Sequence, residues 1–255
     1  MKFLKSFITK LAYKYLKLRI IPRFNSVYPE ELNLKEKKLI EEILYRDLTM
    51  VEKDVLVATA LACKYVIKNE IPGDFVECGV YRGGNAILAA AIFAEQDPTR
   101  RVWLFDTFAG NTEPSIQRDG ISAFSKYKEL QRLGFNQWSY SSLQEVKRNF
   151  EIFGLLSSTI NFIEGDVRKT LNEEINIPDQ IAVLRLDTDW FDSTLIELKT
   201  LYPRLVNHKG GGGVLIIDDY GYSSGARDAT EEYFSKASRP LLIPVNNHVR
   251  IGVKI

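Results

Sequence analysis

From residue 73 onward the chain alternates short apolar runs with longer segments of helical period. Phe75 to Cys78, Val102 to Phe105, Ile160 to Ile163, Ile181 to Leu186 and Val214 to Ile217 are brief and rich in β-branched residues and Leu, which predicts strands buried on both faces. Between them the spacing predicts helices over Gly84 to Ala94, Leu143 to Phe153, Ser193 to Val206 and Ala226 to Lys236. Two more, Glu31 to Tyr45 and Val51 to Lys68, precede the first strand. Such alternation calls for an α/β fold, a parallel sheet with helices on both faces. The end of the chain departs from it. Leu241 to Val245, the pair Asn246-Asn247 and the alternating Val249, Ile251, Val253 and Ile255 predict a hairpin, so one antiparallel strand closes the sheet.

Two segments stand outside this alternation. The polar stretch from about 109 to 142 carries Phe124, Tyr127, Phe135, Trp138 and Tyr140, and so long an insert in a compact domain predicts a partly helical lid over a ligand crevice. At the other end, Leu4, Phe7, Ile8, Leu11, Tyr15 and Leu18 share one helical stripe opposite Lys2, Lys10, Lys14 and Lys17. No basic residue's charge is balanced before Glu30, which suits an anionic membrane surface. The simpler expectation is that the stripe packs on the protein body or on a sister subunit of a homo-oligomer. The organisation expected is thus a basic amphipathic arm over 1–30 and a single domain over 31–255.

Composition narrows the class. A chain of 255 residues with 45% hydrophobic and 26% charged content can bury one full α/β core. A net charge of +1 creates no field for polyanions, so nucleic acid is not an expected partner. Cys63 and Cys78 are too few for a disulfide framework or a thiolate metal site and predict buried thiols in the cytoplasm. Charges interrupt every apolar stretch well before the roughly 18 residues of a membrane span, and the arm has no core of a secretory signal.

Candidate chemistry sits at the strand ends. Asp187 and Asp189 follow one strand, and being two apart in an extended chain they point to one face; Asp218 and Asp219 end another strand that turns at Tyr220-Gly221. An all-carboxylate floor without His or Cys suits a hard divalent cation, magnesium rather than zinc. Asp192 or Ser193 is the expected N-cap of the following helix. After the first strand, Gly79-Val-Tyr-Arg-Gly83-Gly84 is a strand-to-helix turn that lacks the second glycine of the dinucleotide fingerprint, which counts against a nicotinamide cofactor. Glu77 there would repel a pyrophosphate but welcome a cationic or amino-bearing ligand such as S-adenosylmethionine. Asp106 ends the second strand, placed for a ribose diol, and Asp166 ends the third, toward the adenine side. The simpler role for either is to cap the helix that follows.

The segments GDFVECGVYRGGN, LFDTFAG, LRLDTDWFDSTL and YPRLVNHKGGGGVLIIDDYG, in this order, resemble the macrocin O-methyltransferase (TylF/MycF) family of class I S-adenosylmethionine-dependent methyltransferases, over roughly Leu48 to Tyr233. The resemblance implies a Rossmann-like sheet of seven strands with the last antiparallel, and magnesium-dependent methylation of a sugar hydroxyl on a glycosylated small molecule, nucleotide sugar or glycan precursor. It implies Asp187, Asp218 and Asp219 as metal ligands and Asp189 as general base, with Asp187 also at the catalytic centre and beside the donor. It also implies a donor site lined by Thr49, Met50, Glu77, Gly79, Tyr81, Gly83, Gly84, Asp106, Thr107, Phe108, Ser142, Gly165, Asp166 and Val167. Thr188 and Phe191 replace the family's usual Gly and Tyr, and Trp190 is added, so the acceptor pocket is expected to differ. No histidine lies in the insert; the two in the chain are His208 and His248. The competing expectations are a catechol-type or other small-molecule O-methyltransferase and a non-catalytic S-adenosylmethionine-binding scaffold.

Overall fold

Strand β4, Ile181–Leu186, is buried along its whole length because it lies at the centre of the sheet. It pairs in parallel with β1, Asp74–Cys78, on one side and with β5, Val214–Ile217, on the other. Beyond β1 come β2, Val102–Asp106, and β3, Ile160–Glu164, both parallel. Beyond β5 the hairpin of β6, Ile243–Pro244, and β7, Arg250–Val253, adds an antiparallel edge, giving seven strands in the order β3-β2-β1-β4-β5-β7-β6. The computed structural model describes residues 28–208 and 211–255; the basic arm expected over 1–30 lies almost wholly outside the described residues. Leu32–Ile255 forms one compact unit.

Helices α1, Leu34–Tyr45, α2, Lys53–Lys68, and α3, Gly84–Gln96, pack together. The first begins three residues later than the periodicity predicts because Asn33 and Glu36 form a reciprocal capping box, Asn33 Oδ1 accepting from Glu36 N (3.0 Å) and Asn33 N donating to Glu36 Oε2 (2.7 Å). In the insert, α4, Ile116–Asp119, and α5, Ile121–Leu130, are helical, followed by α6, Leu143–Ile152. A second group joins α7, Val167–Thr170, α8, Phe191–Leu201, and α9, Ser224–Phe234. α8 stops short of the predicted Val206 because Pro203 cannot continue the ladder, and Tyr202–Arg204 tightens into a 3-10 turn.

Both cysteines are free and buried. Among the described residues no helix is long and apolar enough to cross a membrane.

Candidate active site: a guanidinium-braced carboxylate floor

The register of the central strands builds the site. Glu77 of β1 stands beside Arg185 of β4, which stands beside Ile216 of β5. Residues two apart share a face, so Asp187 joins Arg185, and Asp218 joins Ile216. Arg185 is 1% exposed, and its Nη1 donates to Glu77 Oε1 (2.8 Å) and Asp187 Oδ2 (2.7 Å) while Nη2 donates to Asp218 Oδ1 (2.8 Å). A buried charge persists only when paired, and this one has three partners. Sequence reading passed over Arg185; the available signal was a lone cation inside an otherwise apolar strand.

One oxygen from each of Asp187, Asp218 and Asp219 comes within 4.8 Å of the others. Burial, with Asp218 and Asp189 adding repulsion against the opposing pull of Arg185, pushes Asp187 well above the usual carboxylate range. Burial and its neighbours Asp189, Asp187 and Asp218 do the same to Asp219. Three carboxylates thus pair with the single guanidinium, and Asp219 and Asp189 add negative charge to the same cavity. An all-oxygen donor set with this surplus of negative charge fits a hard divalent cation.

Asp189 reaches the floor differently from expectation. β4 has ended at Leu186, and Asp189 adopts a left-handed φ of 66°, so its convergence comes from a turn and not from strand alternation. Its N–H donates to Asp219 Oδ2 (3.1 Å), and its Oδ2 accepts from Asn111 Nδ2 of the insert (2.9 Å). Beside it, Trp190 Nε1 donates to Thr112 O (3.0 Å) and the Trp190 ring meets Trp138 edge-on at 5.3 Å. Neither Asp192 nor Ser193 caps α8. Asp119 of the insert does so from a distance, its Oδ1 accepting from Phe191 N (2.8 Å) and its Oδ2 from Ser115 N (2.7 Å). Thr188 Oγ1 donates to Glu197 Oε1 (2.9 Å) beneath the site; Glu197 is fully buried, its Oε2 has no partner, and burial pushes its pKa up to about 8.

The floor opens into a cavity of about 420 Å³. Of the residues expected at a donor site, Thr49, Met50, Glu77, Gly79, Tyr81, Asp106, Thr107, Gly165, Asp166, Val167 and Asp187 line it, with Asp189, Asp218 and Asp219. Gly83, Gly84, Phe108 and Ser142 do not. Gly84 lets α3 approach the Leu48-Thr49 backbone, where a Cβ would lie 2.8 Å from Leu48 O; Ser142 caps α6 through Glu145 N (3.2 Å). Gly79, at φ 83°, serves the fold: a Cβ there would overlap the Asp187 carbonyl oxygen, so glycine is what allows the ends of β1 and β4 to touch.

Glu77 Oε2 is buried and unpartnered, and burial, outweighing Arg185, pushes its pKa up to about 7. An orphaned acceptor on the cavity wall fits a ligand ammonium. Asp106 clamps the glycine turn, Oδ2 accepting from Val80 N (2.7 Å) and Tyr81 N (3.2 Å) and Oδ1 from Phe108 N (2.8 Å). The single Thr107 hydroxyl proton has its shorter bond to Gly110 O (2.6 Å), so Asp106 Oδ1 keeps spare acceptor capacity. Asp166 caps α7 and pairs with Arg168 (2.6 Å), the capping role that the sequence also allowed. Asn85 and Asn111 line the cavity as well, as do Tyr222 and His248, although nothing in their sequence spacing marked them.

The sequence matches the profile of macrocin-O-methyltransferase (TylF) over residues 21–252. It is 38% identical over 173 residues to demethyldecarbamoylnovobiocin O-methyltransferase of Streptomyces niveus, covering 67% of this chain and 62% of that protein. It is 36% identical over 169 residues to the Streptomyces olivaceus 8-demethyl-8-(2,3-dimethoxy-alpha-L-rhamnosyl)-tetracenomycin-C 4'-O-methyltransferase, covering 66% of this chain and 60% of that one. The match therefore spans about three-fifths of the length of these relatives. Among solved structures, the O-methyltransferase NovP superposes with a TM-score of 0.71 at 31% identity, each chain 81% covered. The calicheamicin methyltransferase CalS11, at 19% identity and TM-score 0.60 over 97% of this chain and 91% of that one, shares the fold.

Proposed function

This chain belongs to the macrocin-O-methyltransferase (TylF) family, and on that premise we propose that it methylates a sugar hydroxyl of a glycosylated small molecule, nucleotide sugar or glycan precursor, with S-adenosylmethionine as donor and magnesium as cofactor. The observation that carries the reading is the single cavity shared by Glu77 with its unpartnered oxygen, the Asp187-Asp218-Asp219 floor and Asp189. Glu77 suits the donor's ammonium, Asp106 a ribose hydroxyl and Asp166 the adenine side, with Thr49 and Met50 at the donor's mouth. Asp187, Asp218 and Asp219 would hold the cation. When bound, a divalent cation lowers the pKa of a hydroxyl and fixes its direction.

Asp189 is the proton acceptor. Asn111 occupies its Oδ2, which leaves Oδ1 to take the acceptor's proton as the O–C bond forms and the S–C bond breaks. The donor supplies an electrophilic methyl on a sulfonium. A base so placed contributes on the order of 10²- to 10⁴-fold. The insert, tied down through Asn111, Thr112 and Asp119, excludes water from the site as a lid over the crevice. The deciding test offers the protein labelled S-adenosylmethionine with p-nitrophenyl α-L-rhamnopyranoside or 4-nitrocatechol. Methylation of the glycoside, abolished by chelator and restored by magnesium, is expected; transfer to the catechol alone would overturn the sugar assignment.

A further inference from the structure

The outer wall of the cavity is built by the turn after Asp219 and the tip of the β6-β7 hairpin. Tyr222 N donates to Asp219 O (3.0 Å), which fixes Tyr222 three residues beyond the acidic floor. Gly221 N donates to His248 O (2.8 Å), and a Cβ on Gly221 would overlap Asn247 O, so glycine lets the hairpin tip lie directly against this turn. The tip is held from within as well. Asn246 Oδ1 accepts from His248 N and Val249 N, both at 2.9 Å, and Arg250 Nη1 donates to Asn246 O (3.1 Å).

The tip is thus tied down at His248 and Val249, and it and the adjoining turn present two rings. Tyr222 and His248 meet edge to face at 5.7 Å and 80°, and both line the cavity. Among the described residues the imidazole nitrogens have no hydrogen-bond partner. Tyr222 is 61% exposed, far more than packing would leave an aromatic ring on a rigid wall. Its phenol nevertheless feels the floor: burial of the hydroxyl, then Asp189 and Asp219, push its pKa up. An exposed aromatic pair rigidly held beside a reactive carboxylate is a binding feature more than a surface accident.

We propose that Tyr222 and His248 form the platform for the acceptor's sugar ring, the pyranose laying an apolar C–H face on the paired rings and giving one hydroxyl next to the methylated position to an imidazole nitrogen. The quadrupole of an aromatic face favours electropositive C–H groups, and imidazole offers both a donor and an acceptor. The assignment rests on the glycoside reading above.

Two readouts test it with p-nitrophenyl α-L-rhamnopyranoside on the full chain. In kinetics, His248→Ala and Tyr222→Ala should each raise the acceptor KM about tenfold, the loss of one stacked and hydrogen-bonded contact, with the donor KM within about twofold. Tyr222→Phe, which retains the ring face, should raise the acceptor KM less than Tyr222→Ala does. In NMR, the chain has two histidines, so two imidazole Cε1–H signals, and His248→Asn assigns them. Titrating the glycoside into protein saturated with S-adenosylhomocysteine should shift the His248 signal and leave that of His208. Methylated product with an unmoved His248 signal and unchanged acceptor KM in both alanine variants overturns the platform alone. A shifted His248 signal without methylated product supports the platform and overturns the methylation reading alone.

Discussion

Asn111 Nδ2 donates to Asp189 Oδ2 at 2.9 Å, so a side chain of the insert orients the candidate base on the turn after β4. The bond fixes one oxygen of the Asp189 carboxylate. Asp189→Asn should cut kcat by about 10²- to 10⁴-fold with the donor KM nearly intact, and Asn111→Ala should cut kcat less, about tenfold, by freeing the base to rotate. Steady-state kinetics with donor and acceptor varied separately checks both, and full activity of Asp189→Asn would remove the base assignment.

Arg185 offers a stability test. Replacing it with Met leaves Glu77, Asp187 and Asp218 buried without their counter-charge, a loss of about 3–5 kcal/mol by analogy with broken buried pairs. Urea unfolding of the variant should show a lower midpoint at unchanged slope. A variant as stable as the parent would mean that the guanidinium contributes little to the fold.

Repulsion on the floor predicts a metal response. Magnesium at about a hundred times its Kd should stabilise the parent by about 2.7 kcal/mol, read as a rise in Tm. Asp219→Asn should lose that rise while keeping a folded baseline, because it removes one of the three converging oxygens. An equal rise in parent and variant would place the cation elsewhere.

Glu197 makes stability depend on pH with a definite sign. Its ordinary value of 4.5 is raised to about 8 by burial. Below about pH 4.5 both folded and unfolded chains carry the proton, so nothing is lost. Between there and pH 8 only the folded chain keeps it, and stability falls as pH rises, by about 1.4 kcal/mol per unit. Glu197→Gln keeps an acceptor for Thr188 and removes this slope, so its advantage over the parent should grow from pH 6 to 8 and then level off. Unfolding midpoints measured at each pH decide it, and parallel curves would rule out a raised Glu197.

The docking of the insert has a single-residue test. Asp119→Ala strips the cap from Phe191 N and the tie to Ser115 N, leaving a helix-end donor without its partner, a cost of about 1–2 kcal/mol. Limited proteolysis should then cleave within 109–142 well before the core, and the acceptor kcat/KM should fall. Unchanged cleavage would show that Trp190 and Asn111 suffice to hold the segment.

The parallel strands were legible because burial on both faces leaves short, uninterrupted apolar runs, and Ile181 to Leu186 fell where predicted. The hairpin strand was overread: of Leu241 to Val245 only Ile243 and Pro244 pair. Alternation signals a strand, but pairing depends on what the partner offers, and β7 contributes four residues. In the site, the four aspartates were visible because carboxylates at strand ends are costly without a purpose. Arg185 stood out only as a lone cation in an apolar strand: Asp187 is two residues along the chain, but Glu77 and Asp218 come from the neighbouring strands, which no spacing along one strand encodes. Asp119, Tyr222 and His248 were hidden for the same reason, their neighbours being set by how the insert and the hairpin fold back.

Arg185 links the two binding events proposed for this cavity. Its Nη1 is divided between Glu77, on the donor side, and Asp187, on the cation side. A ligand ammonium at Glu77 would weaken that residue's hold on the guanidinium and strengthen the hold of the floor, while a cation at the floor would push the guanidinium back toward Glu77. Linkage makes such an influence reciprocal: whatever factor the donor imposes on cation affinity, the cation imposes on donor affinity. With Arg185 between them, the two positively charged occupants would oppose each other, each driving the guanidinium onto the carboxylates that the other needs.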